Sequence, residues 1–400
     1  MTIGIGGSTW ERELDELKPL PGRPAPIAPA EFHARMDKAR GLMKLAGMQA
    51  LLVGAGASLR YFTGVGWGAT ERLVAMILPA EGEPVMICPA FEYGSLQAGM
   101  KIDADIRLWQ EDESPAALVA WGLRERNVST LGFDPALPFL AFDRIRAAAP
   151  EIAIRDASAI IDGCRSIKSA AELALLQYAK SSTLEVQRRA ARILRTGITT
   201  VEVRSFIDAA HRKCGADNGS YFCTVQFGTA SAYPHGIPGE QSLAQDELVL
   251  IDTGCQMAGY HSDVTRTYVF GEPRDEHRRI WAIEHEAQAA AFAAVRPGVA
   301  CGHIDQVARD VLERHGLGPD YDLPGLPHRT GHGIGLSIHE APYLVRGDNT
   351  PLAPGMCFSN EPMIVIPDQF GVRLEDHFYV TEEGAAWFTE PSPSIERPFA

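Results

Sequence analysis

Pro327-His-Arg-Thr-Gly-His-Gly-Ile-Gly-Leu-Ser-Ile-His-Glu340 carries three of the chain's twelve histidines, His328, His332 and His339. Gly331, Gly333 and Gly335 lie between them. Glycine permits close backbone approach and positive φ. Histidine is the commonest metal ligand and titrates near neutral pH. The stretch is a candidate site, but a metal ion needs more ligands than it supplies.

Carboxylates on both sides can supply them. Upstream, Leu248-Val-Leu-Ile-Asp252-Thr-Gly254 reads as an apolar strand bearing an acid. Met257-Ala-Gly-Tyr260 offers a turn, and His261-Ser-Asp263-Val-Thr265-Arg-Thr267 alternates as a second strand. Such a hairpin makes Asp252 and Asp263 neighbours across it. Like charges placed so close repel unless a cation or proton intervenes. Downstream, Glu361 and Glu375 each interrupt an apolar run, where an unpaired acid is costly. One imidazole with four carboxylates (Asp252, Asp263, His332, Glu361, Glu375) suits two divalent ions, with Mn²⁺, Co²⁺, Fe²⁺ or Zn²⁺ as candidates. Any of these residues alone reads as structural.

The rest of the chain fits an ordinary globular protein. Its 400 residues are 46% hydrophobic and 22% charged, enough for two domains. No apolar run is long enough for a membrane span. The first ten residues lack the pattern of a secretory signal. A net charge of −14 argues against nucleic acid as a partner. Seven cysteines without a Cys-x-x-Cys pair read as buried reduced thiols, so a cytoplasmic location is expected. Gly54-Ala-Gly56 and Gly64-Val-Gly-Trp-Gly68 complete no nucleotide loop and read as turns.

Five prolines between Pro19 and Pro29 make residues 1–30 an extended arm. Glu31 to Gly47 has helical periodicity, and Ala50 to Val53 reads as a buried strand. Strands are expected at 73–78, 85–88 and 130–133, with helices at 114–125 and 139–149, an α/β pattern. Ser169 with Glu172 forms a capping box opening a helix over Ala170 to Leu194. An internal repeat follows. Arg195-Thr-Gly197 and Arg296-Pro-Gly298 each follow a long Ala-rich helix, and each is followed by a helix ending at Gly215 or Gly316. The two glycines are eighteen residues apart in both copies. A duplicated αβ unit accounts for the match better than chance, and a cleft between its halves is a natural place for a site.

These motifs together resemble the methionine aminopeptidase/prolidase/aminopeptidase P/creatinase superfamily. The resemblance rests on Asp252-x10-Asp263-x-Thr265-Arg-Thr267, His328-x3-Gly331-His332-Gly-x-Gly335-x3-His339-Glu340-x-Pro342, Asn360-Glu361-Pro362 and Arg373-x-Glu375-Asp376. It implies an α/β two-domain protein: the proline-rich arm at residues 1–30, a smaller creatinase/prolidase-like α/β domain at 31–165, and a pseudo-twofold α+β "pita-bread" catalytic domain at 166–400. It further implies that Asp263 and Glu375 bridge two metals, that Asp252 chelates one, and that His332 and Glu361 bind the other. Manganese is the first expectation for the ions.

By the same resemblance a bridging water is activated by both cations, Glu361 accepts its proton, and His339 and His328 stabilise the oxyanion and the proline leaving group. His235 contacts substrate or shuttles a proton, and Arg373 orients the site. Retention of all five ligands disfavours creatinase activity and an inactive binding protein. The presence of an N-terminal domain is unlike most methionine aminopeptidases. The expected function is therefore a Xaa-Pro dipeptidase (prolidase), with aminopeptidase P as the alternative. The partner is a small peptide with proline second, and a homodimer is expected. Archaeal-type prolidases place an arginine just after His-Glu-x-Pro. Tyr343 stands there in this chain, with Arg346 three residues on, so these two are the candidates to hold the substrate carboxylate.

Overall fold

The computed structural model describes residues 2–399; Met1 and Ala400, the outer limits of the expected arm and catalytic domain, lie outside them. The chain forms two units, one of residues 25–165 and one joining residues up to Pro24 with those from Ser166 onward.

The first unit is built on a six-stranded mixed sheet. Its strands run in the order Asp105–Trp109, Val85–Pro89, Ala75–Pro79, Ala50–Gly54, Thr130–Phe133, Ala153–Asp156. The three strands Ala50–Gly54, Ala75–Pro79 and Val85–Pro89 are buried along their whole length, which is why they read as continuous apolar runs. The two edge strands are largely exposed; lacking such a run, they escaped the sequence reading. Helix Pro29–Ala46 ends at Gly47 in the left-handed region, at φ 66°.

The second unit shows the repeat as two similar halves. Helix Ala170–Arg192 opens on the Ser169/Glu172 capping box and is followed by helix Thr200–Lys213. Helices Asp275–Ala293 and Cys301–Arg314 repeat the pair. The turn glycines match in backbone: Gly197 and Gly298 have φ of 80° and 86°, a conformation that favours glycine. Gly197 N–H donates to Leu243 O, and Gly298 N–H donates to Leu352 O, so each turn is tied to the same point of its half. The first half supplies strands Ser220–Phe227, Glu247–Met257 and Val264–Phe270. The second supplies a five-stranded sheet that includes Gly331–Gly333, Cys357–Asn360 and Asp376–Val380.

The N-terminal arm departs from the expectation of an extended segment. Thr9 caps a helix over Trp10–Glu16. Trp10 meets Phe206 edge-on at 5.2 Å, Leu17 is buried, and Tyr178 donates its hydroxyl to Leu20 O. Apolar side chains ahead of the prolines thus fix the segment to the second unit as far as Pro24.

Candidate metal centre

Strand register brings the acids together. Thr265 lies directly opposite Asp252 and also bridges to Glu375, which sits between two strands, so Asp252, Thr265 and Glu375 form one row. Asp263, two residues before Thr265, sits on the same face and diagonal to Asp252 rather than opposite it. Ala258 and Gly259, both at positive φ, close the turn between Met257 and Tyr260. This is the pair of conformations a two-residue hairpin requires.

The opening stretch folds against this row. Gly331–Gly333 is a strand between its two neighbours. Its glycines are required by closeness rather than by φ: a Cβ on Gly331 would lie 2.1 Å from Ser359 O. His332 N–H donates to Ser359 Oγ, which in turn donates to Glu361. The buried Asp305–Arg309 pair holds the preceding segment: Thr330 N–H donates to Asp305, and Arg309 donates to Leu326 O and His328 O. Glu340 accepts from Ser337 N–H and from Lys168 Nζ at 3.0 Å, fixing the turn that carries His339.

One atom of each of Asp263, His332 and Glu375 lies within 4.8 Å of the others, and all three residues are buried. His332 Nδ1 faces Gly333 O at 3.0 Å. A carbonyl only accepts, so Nδ1 carries a proton and Nε2 is the nitrogen that faces the acids. Nε2 lies 3.1 Å from Glu361 and 3.8 Å from Asp263. Asp252 Oδ1 and Asp263 Oδ1 are buried with no partner among the described residues. Burial, then the charges of neighbouring carboxylates, pushes Asp263 and Glu375 well above the usual carboxylate range. Lone pairs converging without a donor call for protons or cations, and the donor set of oxygens with one imidazole suits divalent ions.

The surrounding residues hold this set in place. Thr265 Oγ1 donates to Glu375 at 2.8 Å, and His377, which the sequence reading missed, approaches Glu375's other oxygen at 3.3 Å. The signal was available, since His377 lies two residues beyond Glu375 on the same strand face. Arg373 pairs with Asp252 at 2.5 Å and donates to Thr265 Oγ1 and Pro234 O. It thereby ties Asp252 to the loop bearing His235, which is exposed.

His328 and His339 stand beside the acids. His328 Nδ1 donates to Arg329 O at 2.7 Å, leaving Nε2 free; burial lowers its pKa. The rings of His339 and His332 lie 4.2 Å apart. Loss of hydration, then the neighbouring His332, pushes His339 down to about 4, so near neutral pH it is an uncharged donor or acceptor. Arg346 does not face the cluster: it is exposed, its guanidinium pairs with Asp320, and its N–H donates to Asp305. Tyr343 pairs with His332 across the strands, and Arg329 stacks over its ring at 4.4 Å. Arg329 also lies close enough to His339 to lower its pKa. Arg329 is the second residue the sequence reading passed over, although it sits within the opening stretch.

A duplicated αβ unit around buried acids and one imidazole defines a metallohydrolase with a separate N-terminal domain. Residues 174–382 match metallopeptidase family M24, and residues 35–167 match the creatinase/prolidase N-terminal domain. The chain belongs to metallopeptidase family M24. It is 35% identical to the probable dipeptidase PepE of Mycobacterium bovis, over 89% of this chain and 94% of that one. It is 33% identical to a Xaa-Pro dipeptidase of Lactobacillus helveticus, over 85% of this chain and 92% of that one. The solved prolidase of Thermococcus sibiricus, 29% identical, superposes with a TM-score of 0.83 over 90% of this chain and 97% of that one.

Proposed function

We propose that this chain is a metal-dependent Xaa-Pro dipeptidase using two divalent ions, manganese first among them. The observation that carries the reading is the meeting of His332 Nε2 with the oxygens of Asp263, Glu361 and Glu375. Asp252, Asp263, His332, Glu361 and Glu375 would hold the ions. Divalent ions bound there lower the pKa of water and polarise a carbonyl.

The chain's own groups do the rest. Glu361 takes the proton of the attacking water. Neutral His339 donates to the developing oxyanion. His328 Nε2, bare while Nδ1 is engaged, can take up the proton that Glu361 received from water and pass it to the proline nitrogen as the C–N bond breaks. Arg373 holds Asp252 in place and anchors the loop that brings His235 to the substrate. Arg329, braced on Tyr343, offers the cation that a dipeptide carboxylate needs; Arg346, turned to Asp320, is set aside. Full-length relatives named dipeptidase or Xaa-Pro dipeptidase support the substrate class.

Seven cysteines free of disulfides support a cytoplasmic location, and exposed Phe91, Trp121, Phe139 and Leu140 support a homodimer. Light scattering on the purified protein tests the latter. The test of the activity compares a Xaa-Pro dipeptide with a Xaa-Pro-Yaa tripeptide on Mn²⁺-loaded enzyme. Preference for the dipeptide is expected; cleavage of the tripeptide alone would turn the assignment to aminopeptidase P.

A further inference from the structure

Two glutamines are buried where a leucine would serve a core better. Gln187 and Gln288 are 0% and 1% exposed. Each stands ten residues before its turn glycine, Gly197 or Gly298, so the two occupy the same place in the two halves. Burying an amide is costly unless its hydrogen bonds are met; the two Nε2 groups donate in a matching way, while Gln187 Oε1 has no partner among the described residues. Gln187 Nε2 donates to Ile251 O at 3.2 Å and Val264 O at 2.5 Å. Gln288 Nε2 donates to Asn360 O at 3.2 Å and Leu374 O at 3.1 Å.

All four carbonyls belong to residues adjacent to Asp252, Asp263, Glu361 and Glu375. A carbonyl and the following N–H share one rigid plane. Fixing Ile251 O, Asn360 O and Leu374 O therefore fixes the planes entering Asp252, Glu361 and Glu375, and with them the directions of those side chains. Val264 O lies in the plane entering Thr265, whose hydroxyl holds Glu375. Gln288 has a further tie: its own carbonyl accepts from Asn360 Nδ2 at 2.9 Å.

We propose that Gln187 and Gln288 are a matched pair of positioning residues, one per half, that set the backbone carrying the metal-site carboxylates. They touch no substrate and act through Asp252 and Thr265 on one side and Glu361 and Glu375 on the other. The proposal rests on the reading of those acids as metal ligands.

The test uses full-length protein stripped with chelator, Gln187→Met and Gln288→Met singly and together, and Mn²⁺ as the probe by calorimetry. Methionine keeps the volume and removes the donor. Each single variant is expected to weaken Mn²⁺ binding about tenfold, the usual effect of losing a group that orients a ligand, and the double variant further. Metal-free melting, recorded alongside, reports fold damage separately. Gln→Asn, which keeps the amide one methylene short, serves wherever methionine does not fold. Affinities within twofold of wild type, with only melting lowered, would overturn the proposal. So would failure of every variant to fold, which would give the glutamines a general structural role. Wild-type protein that binds no Mn²⁺ would instead sink the ligand assignment itself.

Discussion

At the scale of single residues, the site separates groups that hold from groups that react. Glu361 is the carboxylate nearest His332 Nε2, at 3.1 Å against 3.8 Å for Asp263. Glu361→Gln keeps one oxygen for a metal and removes the base. Turnover is expected to fall at least ~100-fold, with bound Mn²⁺ counted in the same sample; near-normal turnover in the loaded variant refutes the role. Arg329→Ala removes a charged partner worth about 1.5–3 kcal/mol to a carboxylate. KM for the dipeptide is expected to rise about 10- to 100-fold with kcat changed far less, as steady-state kinetics will report. An unchanged KM places the carboxylate elsewhere. The acidic ligand candidates are legible in the sequence because acids that interrupt apolar runs stand out, although only Asp252 lies within a strand. His377 is legible from its spacing, two residues past Glu375; Arg329 is not, because its stacking on Tyr343 arises only once strands pair.

At the scale of elements, the helices carry buried polar groups that serve their neighbours. His211, on helix Thr200–Lys213, is buried between Thr183 and Ser220. Burial pushes its pKa from 6.5 down to about 3. The folded state keeps it neutral, while the unfolded chain takes up a proton below about 6.5. Its contribution to stability is therefore full above that pH and is lost as pH falls toward about 3. Between pH 8 and 5, urea unfolding of metal-free wild type should lose about 2 kcal/mol more than that of His211→Asn, at ~1.4 kcal/mol per pK unit. Equal losses in both proteins exclude His211 as the cause. Helix Ala170–Arg192 is legible from its capping box. The helix at Trp10–Glu16 is not, since seven residues give too little periodicity and the prolines after it dominate the reading.

At the scale of the whole molecule, the four acids repel one another beneath the surface, and ions that bind only the folded state stabilise it. Adding Mn²⁺ at about a hundred times its dissociation constant should contribute about 2.7 kcal/mol. The melting temperature of chelator-treated protein should then rise by roughly 3–5 °C, and return on renewed chelation. A melting curve indifferent to Mn²⁺ contradicts a metal centre at Asp263, His332 and Glu375. The duplication is legible because its glycine spacing survives in the sequence, and the N-terminal sheet is legible where its strands are buried on both faces. Its edge strands are hidden because solvent leaves them free of any strict pattern.

The division of the ligand residues between the two halves bears on how the chain is made. Asp252 and Asp263 emerge from the ribosome well before His332, Glu361 and Glu375. The nascent chain thus passes through a stage in which one hairpin carries two adjacent acids and nothing to complete their site. A chain that stops before His332 lacks three of the five candidate ligands, so the proposed centre needs both halves of the duplication.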